Sequence, residues 1–222
     1  MNKSSKVGSK LLTALFALLL VMGVGLGGYV GYDWWSSRNA PRDMSGNAIH
    51  LEEADIPSPE EVEQMDVKEE ARDTTVSASV ELKFRAPSVG LDTPVGSMKS
   101  VNGMIKPPGF DRAYLIDNIG HPLHENNEGT VYLVMHSVRK GEAPGNRLID
   151  VESAKPRLHK GDEVSLGSYK YRVTGAESVS KSSIVNVGKV WEDVPGKLVI
   201  ITCLQRPTGH SVKNTIIYAE KI

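Results

Sequence analysis

The sequence predicts an all-β domain, an eight-stranded β-barrel with short helices, preceded by a single N-terminal transmembrane helix. Residues 74–222 contain about eight short apolar or β-branched runs, separated by Gly, Pro and Asp turns. Only Arg147 to Leu158 looks briefly helical. Closely spaced strands with so little helix favour a closed or nearly closed barrel over a sandwich.

The transmembrane helix is predicted at residues 11–32, a stretch that carries no charge. At about 1.5 Å per residue such a helix would be roughly 33 Å long, enough to cross a bilayer. Aromatic residues of the kind found at membrane interfaces close it: Tyr29, Tyr32, Trp34 and Trp35. A cleaved secretory signal would have a shorter apolar core, so we expect an uncleaved signal anchor. The lysines within residues 1–10 place the N-terminus in the cytoplasm and the rest of the protein, from residue 33 onward, outside the cell.

Residues 33–73 are predicted to form an acidic extracellular linker. Residues 40–73 contain three basic and eleven acidic side chains and few large apolar ones, a composition typical of a solvated tether. Capture of a metal ion by these carboxylates is the alternative. The whole chain carries a formal net charge of −1, and no segment is basic enough to indicate a nucleic-acid partner. The folded domain is therefore expected at residues 74–222.

The only cysteine of the chain, Cys203, follows the strand predicted at Leu198–Thr202. Free cysteine often packs as an inert small hydrophobe, and that is the alternative to a functional role. However, the polar residues Gln205 and Arg206 come next, and a half-exposed thiol near a guanidinium is a favourable place for a thiolate. One cysteine in an exported chain forms no internal disulfide and stays exposed to oxidants, which favours a function for it. We interpret Cys203 as a candidate nucleophile.

A second apolar strand, predicted at Thr130–Met135, ends in His136. Two rigid strands that each end in a reactive side chain suit a nucleophile and base pair, because strands hold a geometry that loops do not. His210, in the loop after the cysteine, is the second candidate for the base. The other four histidines lie in the linker or near turns and are interpreted as surface residues: His50, His121, His124 and His159.

No cofactor is predicted. One cysteine and scattered histidines provide no pair at zinc-ligand spacing, and no glycine-rich phosphate loop opens a helix. The glycine pattern of a serine hydrolase elbow is also missing. Other cysteine hydrolases of peptide or cell-wall amide bonds place the nucleophile at a helix N-terminus, whereas this cysteine ends a β-run. A non-catalytic cell-surface module, which would need no free thiol, is the remaining alternative.

Taken together, the motifs resemble those of the sortases, membrane-anchored cysteine transpeptidases of Gram-positive bacteria. Three motifs carry the resemblance: Leu198-Val-Ile-Ile-Thr-Cys203, Val134-Met-His136 and Leu158-x-x-Gly161-Asp162-x-Val164. Two further segments, Val89–Val95 and Asn102–Gly109, resemble the first strands and loop of the actinobacterial class E and F members. The resemblance spans residues 80–219, nearly all of the predicted extracellular domain.

The resemblance implies an eight-stranded barrel with its active site at one end. The substrate would be a surface protein with a C-terminal sorting signal of the Leu-Pro-x-Thr-Gly kind, attacked by Cys203 at the Thr–Gly carbonyl. The thioacyl enzyme would be resolved by an amine of lipid II or of a pilin, or more slowly by water. His136 would act as general acid to the leaving amine and then as base to the incoming one.

The sequence departs from the family at its third functional residue, an arginine on the strand after the cysteine. Residues 212–214 occupy that place, and no arginine follows Arg206. We expect Arg206 to supply the guanidinium from the start of the loop, with Lys213 as second choice because an ammonium lacks the planar fork of a guanidinium. Thr202 is expected to support substrate binding through its hydroxyl, or else to pack as a strand residue.

Overall fold

The computed structural model describes residues 41–51, 82–124, 128–139, 141–208 and 210–222. The predicted transmembrane segment and most of the predicted linker lie outside these ranges and stay predictions. Within them, no helix has the length and apolar character needed to cross a bilayer.

Eight strands close into a barrel, which confirms the predicted all-β fold. In chain order they are β1 (Lys83–Ala86), β2 (Leu91–Met98), β3 (Ala113–Ile116), β4 (Val131–Met135), β5 (Glu163–Leu166), β6 (Tyr169–Ser180), β7 (Lys197–Leu204) and β8 (Lys213–Lys221). Around the barrel their order is β6, β8, β7, β4, β3, β2, β1 and β5, and β5 pairs with β6 to close it. The pairs β4 with β7 and β2 with β3 are parallel, and the others are antiparallel.

Short elements connect the strands. Single 3-10 turns are formed by Pro87–Val89, Pro144–Leu148 and Ile184–Asn186, and one helical turn, α1, by Gly188–Trp191. A short hairpin pairs two strands of two residues each, Ile149–Asp150 and Lys155–Pro156.

The helix suggested for Arg147–Leu158 is wrong. After the 3-10 turn the chain enters this short hairpin. The Asp150 carboxylate there accepts hydrogen bonds from the backbone N–H of Glu152 at 3.0 Å and from the Ser153 hydroxyl at 2.6 Å. Ala154 then adopts a φ of +50°. An aspartate that binds its own local backbone favours a turn over a helix, and Pro156 offers no N–H to continue one.

Residues 41–51, which their composition places in the linker, are instead part of the same folded unit as the barrel. His50–Leu51 pairs in parallel with Met104–Ile105, and Ile49 is buried. Asp43 accepts the Ser100 hydroxyl at 3.1 Å, which ties this segment to the chain after β2. The prediction of a linker rests on the average composition of the acidic stretch, which does not reveal the few residues that attach this segment to the barrel.

Two hydrophobic layers lie on the two faces of the barrel wall, because successive side chains of a strand point to opposite faces. The inner layer fills the barrel and includes Leu133 of β4, Ile200 of β7 and Ile217 of β8. The outer layer includes Val134, Ile201 and Ile216 of the same strands, together with Ile184 and Val190 from the connection between β6 and β7. The wall that carries the candidate site is therefore buried on both faces over much of its length.

We predict that Ile200→Ala lowers the free energy of unfolding by about 2–5 kcal/mol, the cost of deleting a fully buried aliphatic side chain and leaving a cavity. Ile222→Ala is the matched control, because Ile222 is 52% exposed, and its effect is expected to stay within about 0.5 kcal/mol. Denaturant unfolding of the two variants measures the difference, and equal effects would contradict the barrel interior described above.

Candidate active site

The pairing of β4 with β7 brings the two predicted catalytic residues to neighbouring positions. The strands run parallel with Thr202 opposite Met135, so the next residues of the two chains are Cys203 and His136. Beyond the last paired residues, side chains link the two strand ends. Ser137 Oγ donates to the Cys203 carbonyl at 2.5 Å, and Gln205 Nε2 donates to the Ser137 carbonyl at 2.8 Å.

Alternation along the strands places Cys203 and His136 on the same face of the wall. Cys203 comes two residues after Ile201 and four after Val199, which both belong to the outer layer. His136 has the same spacing from Val134 and Tyr132. Cys203 is half-buried and forms no disulfide. The thiol and the imidazole therefore belong to the outer surface of the barrel, at the end where the two parallel strands finish.

The loop between β2 and β3 holds the His136 ring. Phe110 stacks on the imidazole with ring centroids 4.1 Å apart and an angle of 15° between the planes. His136 Nε2 lies 2.9 Å from the Pro107 carbonyl oxygen, which can only accept, so Nε2 carries the proton and donates. In the neutral ring the other nitrogen, Nδ1, is then free to accept a proton.

Burial shifts the two groups in opposite directions. It raises the pKa of the Cys203 thiol, an effect that the charge and hydrogen bonding of Lys181 and a hydrogen bond from Ser211 partly offset. It lowers the pKa of His136, which the hydrogen bond to Pro107 opposes and the charges of Lys106 and Lys181 reinforce. At neutral pH the pair is therefore mostly thiol and neutral imidazole, and the thiolate and imidazolium form is a minor species.

The other residues predicted for the site are placed differently. Arg206 is exposed, and its Nε donates to the His210 carbonyl at 2.9 Å. Lys213, the first residue of β8, is also exposed. Thr202 is buried with the inner-layer parity of Ile200, on the face of the wall opposite Cys203. This position favours the packing alternative for Thr202, while the roles of Arg206 and Lys213 stay predictions.

Lys181 is the residue near the site that sequence reasoning missed. It follows β6 directly, and its charge acts on both Cys203 and His136. One feature of the sequence could have indicated it. Lys181 is two residues beyond Val179 of the outer layer, a position where strand alternation predicts an apolar side chain. Across the described residues, no group of three His, Cys, Asp or Glu side chains is placed to hold a metal ion.

Comparison with solved structures finds sortases. Sortase A of Listeria monocytogenes aligns with 18% identity and a TM-score of 0.46, covering 64% of this chain and 87% of that one. A pilus-related sortase C of Group B Streptococcus aligns with 13% identity and a TM-score of 0.46, covering 75% and 91%. A lid mutant of Corynebacterium diphtheriae sortase A aligns with 12% identity and a TM-score of 0.47, covering 78% and 84%. No protein-family model and no curated protein matches the sequence. Identities and TM-scores this low assign no activity to the chain.

The 3-10 turn at Pro144–Leu148 packs closely behind the site. Gly145 N donates to the His136 carbonyl at 2.9 Å, and a Cβ at Gly145 would lie 2.5 Å from that same oxygen and collide with Thr202 Oγ1. One contact is with the backbone directly after β4, and the other is with the buried side chain of Thr202 in β7. Glycine is therefore required here by the close approach of two backbones.

We predict that Gly145→Ala destabilises the protein by about 1–3 kcal/mol, the cost of inserting an atom into a packed interior. Gly188→Ala is the control, since a Cβ there meets no atom within 4 Å. Thermal unfolding followed by circular dichroism compares the two variants. A Gly145→Ala protein as stable as the Gly188→Ala protein would show that the turn is packed less closely than described.

Proposed function

We propose that this protein is a sortase-type cysteine transpeptidase, related to the class E and F members and anchored in the cell membrane with its catalytic domain outside. It cleaves a C-terminal Leu-Pro-x-Thr-Gly-like sorting signal and joins the new carboxyl terminus to an amine of lipid II or of a pilin. The observation that carries the proposal is the adjacency of Cys203 and His136 at the ends of two parallel barrel strands. The resemblance of the sequence motifs supports it independently.

In the first half of the reaction the Cys203 thiolate attacks the threonine carbonyl carbon of the sorting signal. A C–S bond forms and the carbonyl oxygen becomes an oxyanion. When this intermediate collapses, the C–N bond to glycine breaks and His136 delivers a proton to the departing amine. The products are a thioester on Cys203 and the released C-terminal peptide.

The second half reverses these roles. An acceptor amine attacks the thioester carbon, its proton passes to the neutral His136, and the thiolate leaves as the new amide bond forms. Because Nε2 donates to Pro107, Nδ1 is the nitrogen of His136 that exchanges protons in both halves. Water in place of the amine would give hydrolysis as a slower side reaction.

The developing oxyanion needs a positive charge or a hydrogen-bond donor. Arg206 is the guanidinium that the sequence places nearest after Cys203, so it is the candidate that the sequence offers for this role, with Lys213 as the second choice. Its position at the start of the loop between β7 and β8 would let it reach a bound substrate. Arg206 Nε donates to the His210 carbonyl at 2.9 Å.

Intact-mass spectrometry with a panel of Leu-Pro-x-Thr-Gly-like peptides tests the reaction. We expect an acyl adduct on the wild-type protein, lost in Cys203→Ala and strongly reduced in His136→Ala. His159→Ala is the matched control, because His159 is exposed and belongs to the turn before β5, and it is expected to form the adduct normally. An added amine should appear in the product; a product that contains only water would identify a hydrolase, and no adduct with any peptide would refute the proposed function.

The opposite pKa shifts predict a broad pH profile for peptide cleavage. The active thiolate and imidazolium form has a constant population between the two pKa values. It declines below the pKa of His136, which burial lowers, and above the pKa of Cys203, which burial raises. Removing the stacked ring in Phe110→Ala exposes the imidazole, so the acid limb should move to higher pH. Titration of His136 by NMR measures the same change directly. An unchanged or lower pKa of His136 in Phe110→Ala would contradict burial as the cause of its lowered pKa.

A further inference from the structure

Lys181 is a buried lysine with no conventional partner. Its side chain is only 8% exposed, and within the described ranges Nζ makes no hydrogen bond of ordinary geometry to an oxygen or nitrogen atom; the thiol of Cys203 is the group on which its hydrogen bonding acts. Lysine is seldom this buried unless it is paired, because taking an ammonium out of water costs free energy. The backbone holds it in place, since Lys181 N donates to the Val212 carbonyl at 3.1 Å. Such a side chain calls for a functional explanation.

Strand register places Lys181 on the face that carries the nucleophile. Asn214 of β8 lies opposite Val179 of β6 on one side and opposite Cys203 of β7 on the other, so these three residues form one row across the wall. Paired residues in a sheet point to the same face. Lys181 is two residues beyond Val179, and its backbone hydrogen bond to Val212 extends the pairing of β6 with the β8 side by one residue, so its side chain leaves the backbone toward that face as well.

We propose that Lys181 provides the positive charge of the active site, stabilising the Cys203 thiolate and the oxyanion that forms next to it. This inference rests on the proposed transpeptidase function. It assigns to a buried ammonium on the connection after β6 the role that the resemblance expects of an arginine after the cysteine. The lysine gains a counter-ion when the thiolate forms, and it then faces the new negative charge on the substrate.

The surroundings favour Lys181 over Arg206 for this role. A charge at an exposed position is screened by water, whereas the same charge in a buried place acts through a lower effective dielectric. Arg206 is exposed and bonded to a backbone carbonyl. Lys181 is the charged group that lowers the pKa of the Cys203 thiol, and Lys181 and Lys106 are those that act on His136. Among the described residues, no carboxylate shifts the pKa of either group, so an anion formed at the sulfur is the available counter-charge.

Alkylation of Cys203 by iodoacetamide as a function of pH tests the charge without any peptide substrate. Lys181→Met removes the ammonium while filling the same space, and we expect its alkylation midpoint at higher pH than that of the wild type. Lys181→Arg keeps the charge and should restore the midpoint toward the wild-type value. Lys170→Met is the matched control, an exposed lysine near the other end of β6, and should titrate like the wild type.

Peptide cleavage provides the second measurement. We expect Lys181→Met to lose about 100-fold or more in kcat, as when one oxyanion donor is removed, with Lys181→Arg partly active. Thermal stability separates this role from a structural one. Because the substitution removes an unpaired buried charge, Lys181→Met should unfold at the same or a higher temperature than the wild type, whereas a structural lysine would lose stability and activity together.

Unchanged alkylation and unchanged kcat in Lys181→Met would overturn the proposal, and loss of cleavage in Arg206→Ala alone would assign the charge to Arg206 instead. If Lys181→Met does not fold, Lys181→Gln and Lys181→Arg provide the same comparison of a neutral with a charged side chain. A wild-type protein that forms no acyl adduct would refute the transpeptidase, but the alkylation profiles would still show whether Lys181 acts on the thiol.

Discussion

The candidate site depends on one pairing, the parallel register of β4 and β7. This register pairs Thr202, near the end of β7, with Met135, the last residue of β4, so that Cys203 and His136 follow at neighbouring positions. The hydrogen bonds that Ser137 and Gln205 make across the two chain ends continue the connection past the last paired residues. A shift of the register by one residue would move one of the two side chains to the opposite face of the wall and separate the pair.

The same pairing places Cys203 and His136 in a buried layer, which explains why the thiol and the imidazole are mostly uncharged. Cys203 and His136 extend an apolar outer layer, and burial disfavours the charged form of each group. A rigid, partly dehydrated pair keeps the thiol from reacting indiscriminately, since the thiolate is the reactive form. As a consequence, only a small fraction of the molecules carry the thiolate together with the imidazolium. A positive charge held nearby raises that fraction, which is the physical reason to look for one in the wall itself.

Sequence patterns predicted the parts of the molecule in which local pattern and tertiary structure agree. The apolar runs before Cys203 and His136 are strands, and the all-β class and the closure of the barrel follow from the number and spacing of such runs. The interpretation failed at Arg147–Leu158, where one aspartate turned an apparently helical segment into a hairpin. Lys181 was missed for a different reason. Its relation to Cys203 passes through β8 by two antiparallel registers, and no local pattern in the sequence encodes a register between strands.

The backbone of His136 and its imidazole ring are held in different ways, the first from behind by Gly145 and the second from in front by the loop between β2 and β3. Behind the site, Gly145 closes on the His136 carbonyl so tightly that no side chain fits, and this contact fixes the backbone that carries the imidazole. In front, the ring is held by one hydrogen bond to the Pro107 carbonyl and by stacking on the half-buried Phe110. At Gly145 any added side chain would collide with the chain, so the backbone there allows no movement. The ring of His136, by contrast, is held within the described ranges by one hydrogen bond and one stacking contact, which can be broken without a collision. We therefore expect substrate binding to rearrange the loop between β2 and β3 while β4 and β7 stay in place.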